Sequence, residues 1–273
     1  MIKDEVYAFF ADYIFQHAGI VYSKNDYYRL ESRLNELMKI LAVDSVDDVY
    51  HLYKKNITTD MKNILINLST NNETYFFRDV KPFSIFSKII IPELLARMTF
   101  GQINIWSAAS STGQESFSML MSAQENLKDV EYSRLNVAAS DISSTALGKA
   151  RLGTYTGLDV QRGLPIAFLL KYFSQLEDGN WQINDKTLKK VKFFEFNLLK
   201  DKFPVEMYHV IFCRNILIYQ ELKNKKNILD NVYNSLAPGG YLFLGNGESL
   251  IGVETKFEKV VFDNYTFFKK GKK

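Results

Sequence analysis

The stretch Ile103–Leu120, INIWSAASSTGQESFSML, limits what this chain can fold into more than any other part of it. An apolar run (Ile103, Ile105, Trp106) gives way to a turn of small residues (Ala108, Ala109, Ser110, Ser111, Thr112, Gly113) and then to a polar-then-apolar segment able to start a helix. This is the order of the first βα turn of a doubly wound α/β domain, where small side chains let the backbone approach a bound nucleotide. The turn has one glycine and no G-x-G-x-x-G. A pyrophosphate needs several free N–H groups in a glycine-rich loop, so the expected ligand is a nucleoside without phosphates. S-adenosylmethionine is the leading candidate of that kind.

The pattern downstream supports a mostly parallel sheet. Leu135–Ala139 reads as a second strand ending at Asp141, followed by a helix opened by Ser143 or Ser144 with Ala146, Leu147 and Ala150 inward. Further strands are expected at Val191–Phe196, Tyr208–Cys213 and Tyr241–Leu244, with a closing antiparallel pair around Asp263-Asn264. Helices are expected at Gln114–Leu127, Leu164–Phe173 and Glu221–Leu236, the last ended by Pro238-Gly239-Gly240. Between them, residues 174–192 carry an Asp178-Gly179 turn with Trp181 and Ile183 alternating after it, which suggests a small antiparallel β insertion.

Residues 1–70 have helical periodicity throughout. Val6, Phe9, Phe10, Tyr13 and Ile14 share one face, closed near Gly19; Leu30, Leu34, Leu37, Met38 and Leu41 form a second stripe. Val46, Val49, Tyr50 and Tyr53 make a third, and Met61, Ile64, Leu65 and Leu68 a fourth. Eight Lys and Arg stand against ten Asp and Glu here, so this four-helix unit is net −2 and not a basic module. Residues 71–84 read as a linker that also touches the next domain, and 85–273 as the catalytic domain; Phe83–Met98 should be helical, with Pro92 in the first turn of a restarted helix.

At 273 residues there is room for a catalytic core and one small extra domain. The overall charge of +3 is too small to announce a nucleic-acid partner, and Lys269, Lys270, Lys272 and Lys273 are expected to form a solvated tail. No apolar run reaches the roughly 18 residues of a membrane span, and MIKDEVYAFF lacks a signal-peptide pattern, so a cytoplasmic location is expected. The single cysteine, Cys213, lies in an apolar run and reads as a buried thiol. His17, His51 and His209 have no metal-ligand spacing and no metal is expected.

In an open α/β sheet the ligand lies beyond the carboxyl ends of the strands. The candidates are therefore residues 108–115, Asp141, Asn197, and the pair Arg214 and Asn215. Asp141 could accept both hydroxyls of a ribose or cap the helix after it. Asn197 could meet an adenine edge or form a turn.

Four blocks, STNNETYFFRD (69–79), IWSAASSTGQESFS (105–118), AASDIS (138–143) and VIFCRNILIYQ (210–220) with its downstream LAPGGYLFLGNGESL (236–250), resemble the CheR family of chemotaxis receptor methyltransferases. The similarity covers nearly the whole chain. It implies a class I S-adenosylmethionine methyltransferase fold, with methyl transfer to glutamate side chains of a chemoreceptor's cytoplasmic helices. It also implies cofactor contacts at Asn72, Thr74, Arg78, Glu115, Asp141, Asn197, Leu198, Arg214 and Asn215, with Arg78 and Tyr219 as the catalytic pair. The chain departs from the family where GEEPYS is GQESFS, placing Gln114, Ser116 and Phe117 in that segment, and where Ala109 and Ser110 replace the usual glycine or cysteine.

Those departures motivate an alternative, a catalytically silent relative that binds the cofactor and serves as an interaction module. Many members also hold a receptor-tail pentapeptide on a glycine-rich β subdomain. Only Gly179 falls in the corresponding insertion, so weak or absent tethering is expected.

Overall fold

The computed structural model describes residues 2–272. Among the described residues ten strands build two sheets: β1 Ile103–Ala108, β2 Leu135–Asp141, β3 Thr154–Tyr155, β4 Phe173–Gln175, β5 Trp181–Ile183, β6 Val191–Glu195, β7 Tyr208–Cys213, β8 Leu236–Phe243, β9 Glu258–Phe262 and β10 Tyr265–Lys269. The main sheet runs β6-β2-β1-β7-β8-β10-β9. β6, β2, β1, β7 and β8 are parallel, and β10 and β9 close the edge antiparallel. From β1 the chain moves outward through β2 to β6, then returns to the other side at β7, so the topology reverses at β1. The cleft described below opens at that reversal.

Period-two alternation places consecutive side chains on opposite faces, and both faces are covered. Ile103, Ile105, Val210, Phe212 and Phe243 enter one core, while Trp106, Ala108, Ile211, Cys213 and Leu242 enter the other. Cys213 is fully buried, and burial pushes its thiol well above the ordinary range. A buried neutral thiol is inert.

Helices α1 Asp4–Ala18, α2 Tyr27–Ile40, α3 Val46–Lys55 and α4 Thr59–Ser69 form the N-terminal unit around Phe10, Ile14, Leu30, Leu34, Leu37, Val49 and Leu65. α1 ends at Gly19, whose φ of +71° is left-handed and favours glycine. A Cβ there would stand 2.3 Å from Gln220 Oε1 and 2.4 Å from Leu199 Cδ1. The unit is thus pressed directly onto the α/β half of the chain.

The structure changes several expectations. Lys269 and Lys270 belong to no solvated tail: Lys269 ends β10 and bonds Tyr241 Oη at 2.7 Å, and buried Lys270 donates to Leu236 O at 2.7 Å. β10 pairs with β8 through Phe268 opposite Leu242 and Lys269 opposite Tyr241, which holds these lysines on the sheet. Pro238-Gly239-Gly240 does not simply stop a helix. The helix is Leu222–Ser235, and the triplet lies inside β8 beside a register shift opposite Tyr208 and Val210.

Pro92 restarts the helix Ile91–Arg97 as expected, but a wider turn over Phe86–Ile90 precedes it, in which Ile91 N–H reaches back to Phe86 O. That extra residue accommodates a ring with no N–H to donate. The small sheet, ordered β3-β5-β4, also recruits Thr154, Tyr155 and Phe173 from outside the expected insertion.

Candidate active site

A cleft of 1180 Å³, open mouth included, lies at the carboxyl ends of β1, β2, β6 and β7. Its lining brings together Asn72, Thr74, Arg78, Glu115, Asp141, Asn197, Leu198, Arg214, Asn215 and Tyr219, the ten residues that the resemblance points to; of the candidate stretch 108–115 it takes Ala109, Ser110, Ser111 and Glu115 and leaves out Ala108, Thr112, Gly113 and Gln114. The N-terminal unit adds Ala18, Ile20 and Arg29 from the opposite wall.

The floor is the turn after β1. Ala109 (φ +62°), Ser111 (φ +51°) and Gly113 (φ +92°) curl the backbone so that N–H groups turn toward neighbouring strand ends. Ser110 N donates to Ser140 O at 2.7 Å, and Ser111 N donates to Asp141 Oδ2 at 2.7 Å. Asp141 is buried, and its other oxygen accepts Ser143 N at 2.9 Å. The helix cap that Asp141 could have supplied comes from Ser143 instead, whose hydroxyl accepts Ala146 N at 3.1 Å. Burial pushes the Asp141 carboxyl above its usual range despite those two N–H donors. Each oxygen retains a lone pair, and donor hydroxyls arriving in the cleft would favour the anion.

Arg214 is the electrostatic centre. Its side chain is 1% exposed and bridges two acids, Glu115 Oε2 at 2.8 Å and Asp79 Oδ2 at 2.6 Å. It also donates to Arg78 O at 2.9 Å. This grip secures a segment in an unfavourable conformation: Phe77, Asp79 and Val80 all have positive φ, between +51° and +71°. Such residues cost about 1–3 kcal/mol each and persist only where the surroundings over-determine them. Glu115, fixed also by Ser107 Oγ at 2.8 Å, sits in the first turn of helix Gln114–Asn126, where a carboxylate is favoured.

With Asp79 taken by Arg214, Arg78 makes no ion pair among the described residues. Its Nη1 donates to Glu73 O at 3.1 Å and its guanidinium lies 5.5 Å from the Tyr75 ring centroid. Tyr219 is no packed aromatic: it is 40% exposed, and its hydroxyl accepts Asn71 Nδ2 at 3.0 Å. Asn197 lines the cleft with its amide engaged, Nδ2 donating to His17 O at 2.7 Å and Oδ1 accepting Leu199 N at 2.9 Å. It is a turn former that also ties α1 to the catalytic half.

Three residues escaped the sequence reading. Asn71 holds the Tyr219 hydroxyl. Glu248 accepts backbone N–H from Asn215 (2.7 Å), Leu217 (2.7 Å), Ile218 (3.4 Å) and Gly245 (2.7 Å), so one carboxylate folds the whole loop from Arg214 to Tyr219. Asp79 completes the Arg214 cluster. All three lie inside the quoted blocks, and only their partners across the fold reveal what they do. The departures in GQESFS behave differently. Gln114, Ser116 and Phe117 are buried in the helix core and are absent from the cleft lining.

Three buried polar atoms without a protein partner, Ser110 Oγ, Arg214 Nε and Gln220 Oε1, belong to lining residues. Such groups call for a polar ligand. Acids on the floor and apolar Ile142, Phe196, Leu198 and Ile228 on the walls suit a ligand with a cationic end, hydroxyls and a flat base.

Residues 72–266 match the family described as "CheR methyltransferase, SAM binding domain", and residues 5–69 its "all-alpha domain". The chain is 33% identical over 246 residues to the chemotaxis protein methyltransferase Cher2 of Pseudomonas putida, covering 89% of each. It is 34% identical over 265 residues to chemotaxis protein methyltransferase 1 of Vibrio cholerae, covering 95% of this chain and 94% of that one. A second V. cholerae relative, chemotaxis protein methyltransferase 2, is 30% identical over 273 residues, covering 99% and 94%. With both halves matched in order around a cleft suited to S-adenosylmethionine, the chain belongs to the CheR methyltransferase family.

Proposed function

We propose that this protein transfers the methyl group of S-adenosylmethionine to glutamate side chains of a chemoreceptor's cytoplasmic helices, forming glutamyl methyl esters. The observation that carries this reading is that Arg78 and Tyr219 line the same cleft as Glu115 and Asp141, with Arg78 in no ion pair among the described residues. Bound S-adenosylmethionine supplies an electrophilic methyl on its sulfonium.

Glu115 would receive the ammonium of the methionine end and Asp141 the ribose hydroxyls, with the base against Leu198 and the one Nδ2 proton that Asn197 does not spend on His17 O. Asn72, Thr74, Arg214 and Asn215 complete the wall. A glutamate is already an anion near neutral pH, so no strong base is needed and positioning is what the protein contributes. Arg78 presents a planar fork of donors to the carboxylate. Tyr219 accepts from Asn71, which leaves its own O–H free to donate to the nucleophile and aim it.

The GQESFS residues that in part motivate the silent alternative are buried and absent from the cleft lining, which favours an active enzyme. We take residues 1–70 as the N-terminal helical domain, 71–84 as a linker that contributes to the active site and 85–273 as the catalytic domain. The reaction would take place in the cytoplasm, and with Gly179 alone in the insertion a receptor-tail pentapeptide would be held weakly. Incubation with methyl-labelled S-adenosylmethionine and a receptor cytoplasmic fragment, followed by mild alkali, tests the proposal. Volatile labelled methanol is expected; an alkali-stable label would contradict it.

A further inference from the structure

Two guanidiniums from distant parts of the chain lie over one ring, that of Tyr75, a residue of the cleft lining. The Arg162 guanidinium lies 4.3 Å from the Tyr75 centroid, with that of Arg78 at 5.5 Å. Glu73 joins them: its Oε1 accepts Arg162 Nη2 at 2.6 Å, and its carbonyl oxygen accepts Arg78 Nη1 at 3.1 Å. Arg162 follows helix Gly157–Gln161, and its position is enforced by the next residue. Gly163 has φ +83°, and a Cβ there would stand 2.1 Å from Phe76 O. The turn that carries Arg162 is therefore pressed onto the segment that carries Glu73, Tyr75 and Arg78.

Stability does not account for this arrangement. The Arg162 and Glu73 side chains are 54% and 51% exposed, and ion pairs so open to water contribute little. An arginine stacked on an aromatic ring is instead preoriented, and its fork matches a carboxylate.

We propose that Arg78 and Arg162 form a two-guanidinium seat for an acidic substrate segment. Arg78 takes the carboxylate to be methylated and Arg162 a second acid on the same segment. Glu73 occupies the Arg162 half in the free protein and is displaced when substrate docks. The seat rests on the carboxylate-substrate reading above. Because the exposed pair is weak, the exchange costs little.

The test is titration of a receptor cytoplasmic fragment into the full-length protein saturated with S-adenosylhomocysteine, which needs no turnover. Arg162→Ala is expected to weaken fragment binding about three- to fivefold, and Arg162→Lys to recover only part of the loss. Glu73→Gln should tighten binding about twofold with Arg162 present and change nothing in Arg162→Ala. Affinity for S-adenosylhomocysteine should stay within about twofold in every variant, which separates a lost seat from a damaged fold. Equal fragment affinity for wild type and Arg162→Ala, or a Glu73→Gln effect that persists without Arg162, would overturn the seat. Methyl transfer by wild type, assayed in parallel, reports separately on the reading beneath it.

Discussion

Replacing Arg214 by methionine removes a buried cation and strands two acids at once. In the native protein Glu115 and Asp79 lie 2.8 Å and 2.6 Å from its guanidinium, with side chains only 12% and 22% exposed. Breaking a buried ion pair by deleting one partner costs about 3–5 kcal/mol, because the remaining charge is neither paired nor hydrated. In a chain of this size each kcal/mol moves the melting midpoint by about 2–3 °C, so a fall of about 6–15 °C is expected. Circular dichroism of the ligand-free protein at neutral pH measures it.

The cluster also predicts a sign. Adding Asp79→Asn to Arg214→Met removes one stranded charge and should restore about 1–2 kcal/mol, although the same change destabilises the native background. A fall under about 3 °C, or additive effects of the two changes, would refute the view of Arg214 as the charge that holds this floor together. Methyl transfer should fail in Arg214→Met even well below its midpoint, since Arg214 also anchors the strained backbone that aims Arg78.

Glu248→Gln turns one of two acceptor oxygens into a donor facing backbone N–H groups; an unmade buried bond costs about 1–3 kcal/mol, so both midpoint and turnover should fall. Wild-type values of both would remove Glu248 from the account. Burial first, then Arg97, lower the His209 pKa below its ordinary 6.5, and Asn104 N–H donated to its Nδ1 requires a neutral ring. As pH falls below 6.5 the unfolded chain takes up a proton that the folded chain resists, so stability should decline on acidification, and His209→Gln should flatten that decline in melts between pH 7.5 and 5.5. Phe117 is fully buried beside Tyr155 and Phe193, so Phe117→Tyr should cost about 1–3 kcal/mol for an unplaced hydroxyl; calorimetric titration should show unchanged cofactor affinity, and a large shift would mean this helix face does reach the cleft.

How legible the molecule was depended on the range of each interaction. Strand ends were readable because alternation of period two and a small-residue turn are local, so residues 103–120 and Asp141 fell where expected. The fate of Lys270 was not local: its ammonium bonds Leu236 O, 34 residues away, and no charge count shows that. Asp141 was ambiguous until Ser143 was seen to supply the cap. Asn197 offered the same two readings, and its bonds to His17 O and Leu199 N satisfy the turn. Glu248 lay in a quoted block, yet its four backbone donors come from two loops that meet only in the folded chain. Arg162 lay outside every block, and the Gly163 contact with Phe76 that places it is equally non-local.

The central claim divides the cleft into a floor that binds and a mouth that aims. Asp141→Ala should weaken S-adenosylhomocysteine binding about 10- to 100-fold, the worth of hydrogen bonds to a buried charged group. Tyr219→Phe should leave that affinity within about twofold, since the role proposed for its hydroxyl is to aim the nucleophile, while lowering turnover with saturating cofactor by about tenfold or more. Calorimetric titration of both variants beside single-turnover methyl transfer decides the matter. Affinity lost in Asp141→Ala and turnover lost in Tyr219→Phe is the predicted result; equal loss of affinity in both variants would contradict it.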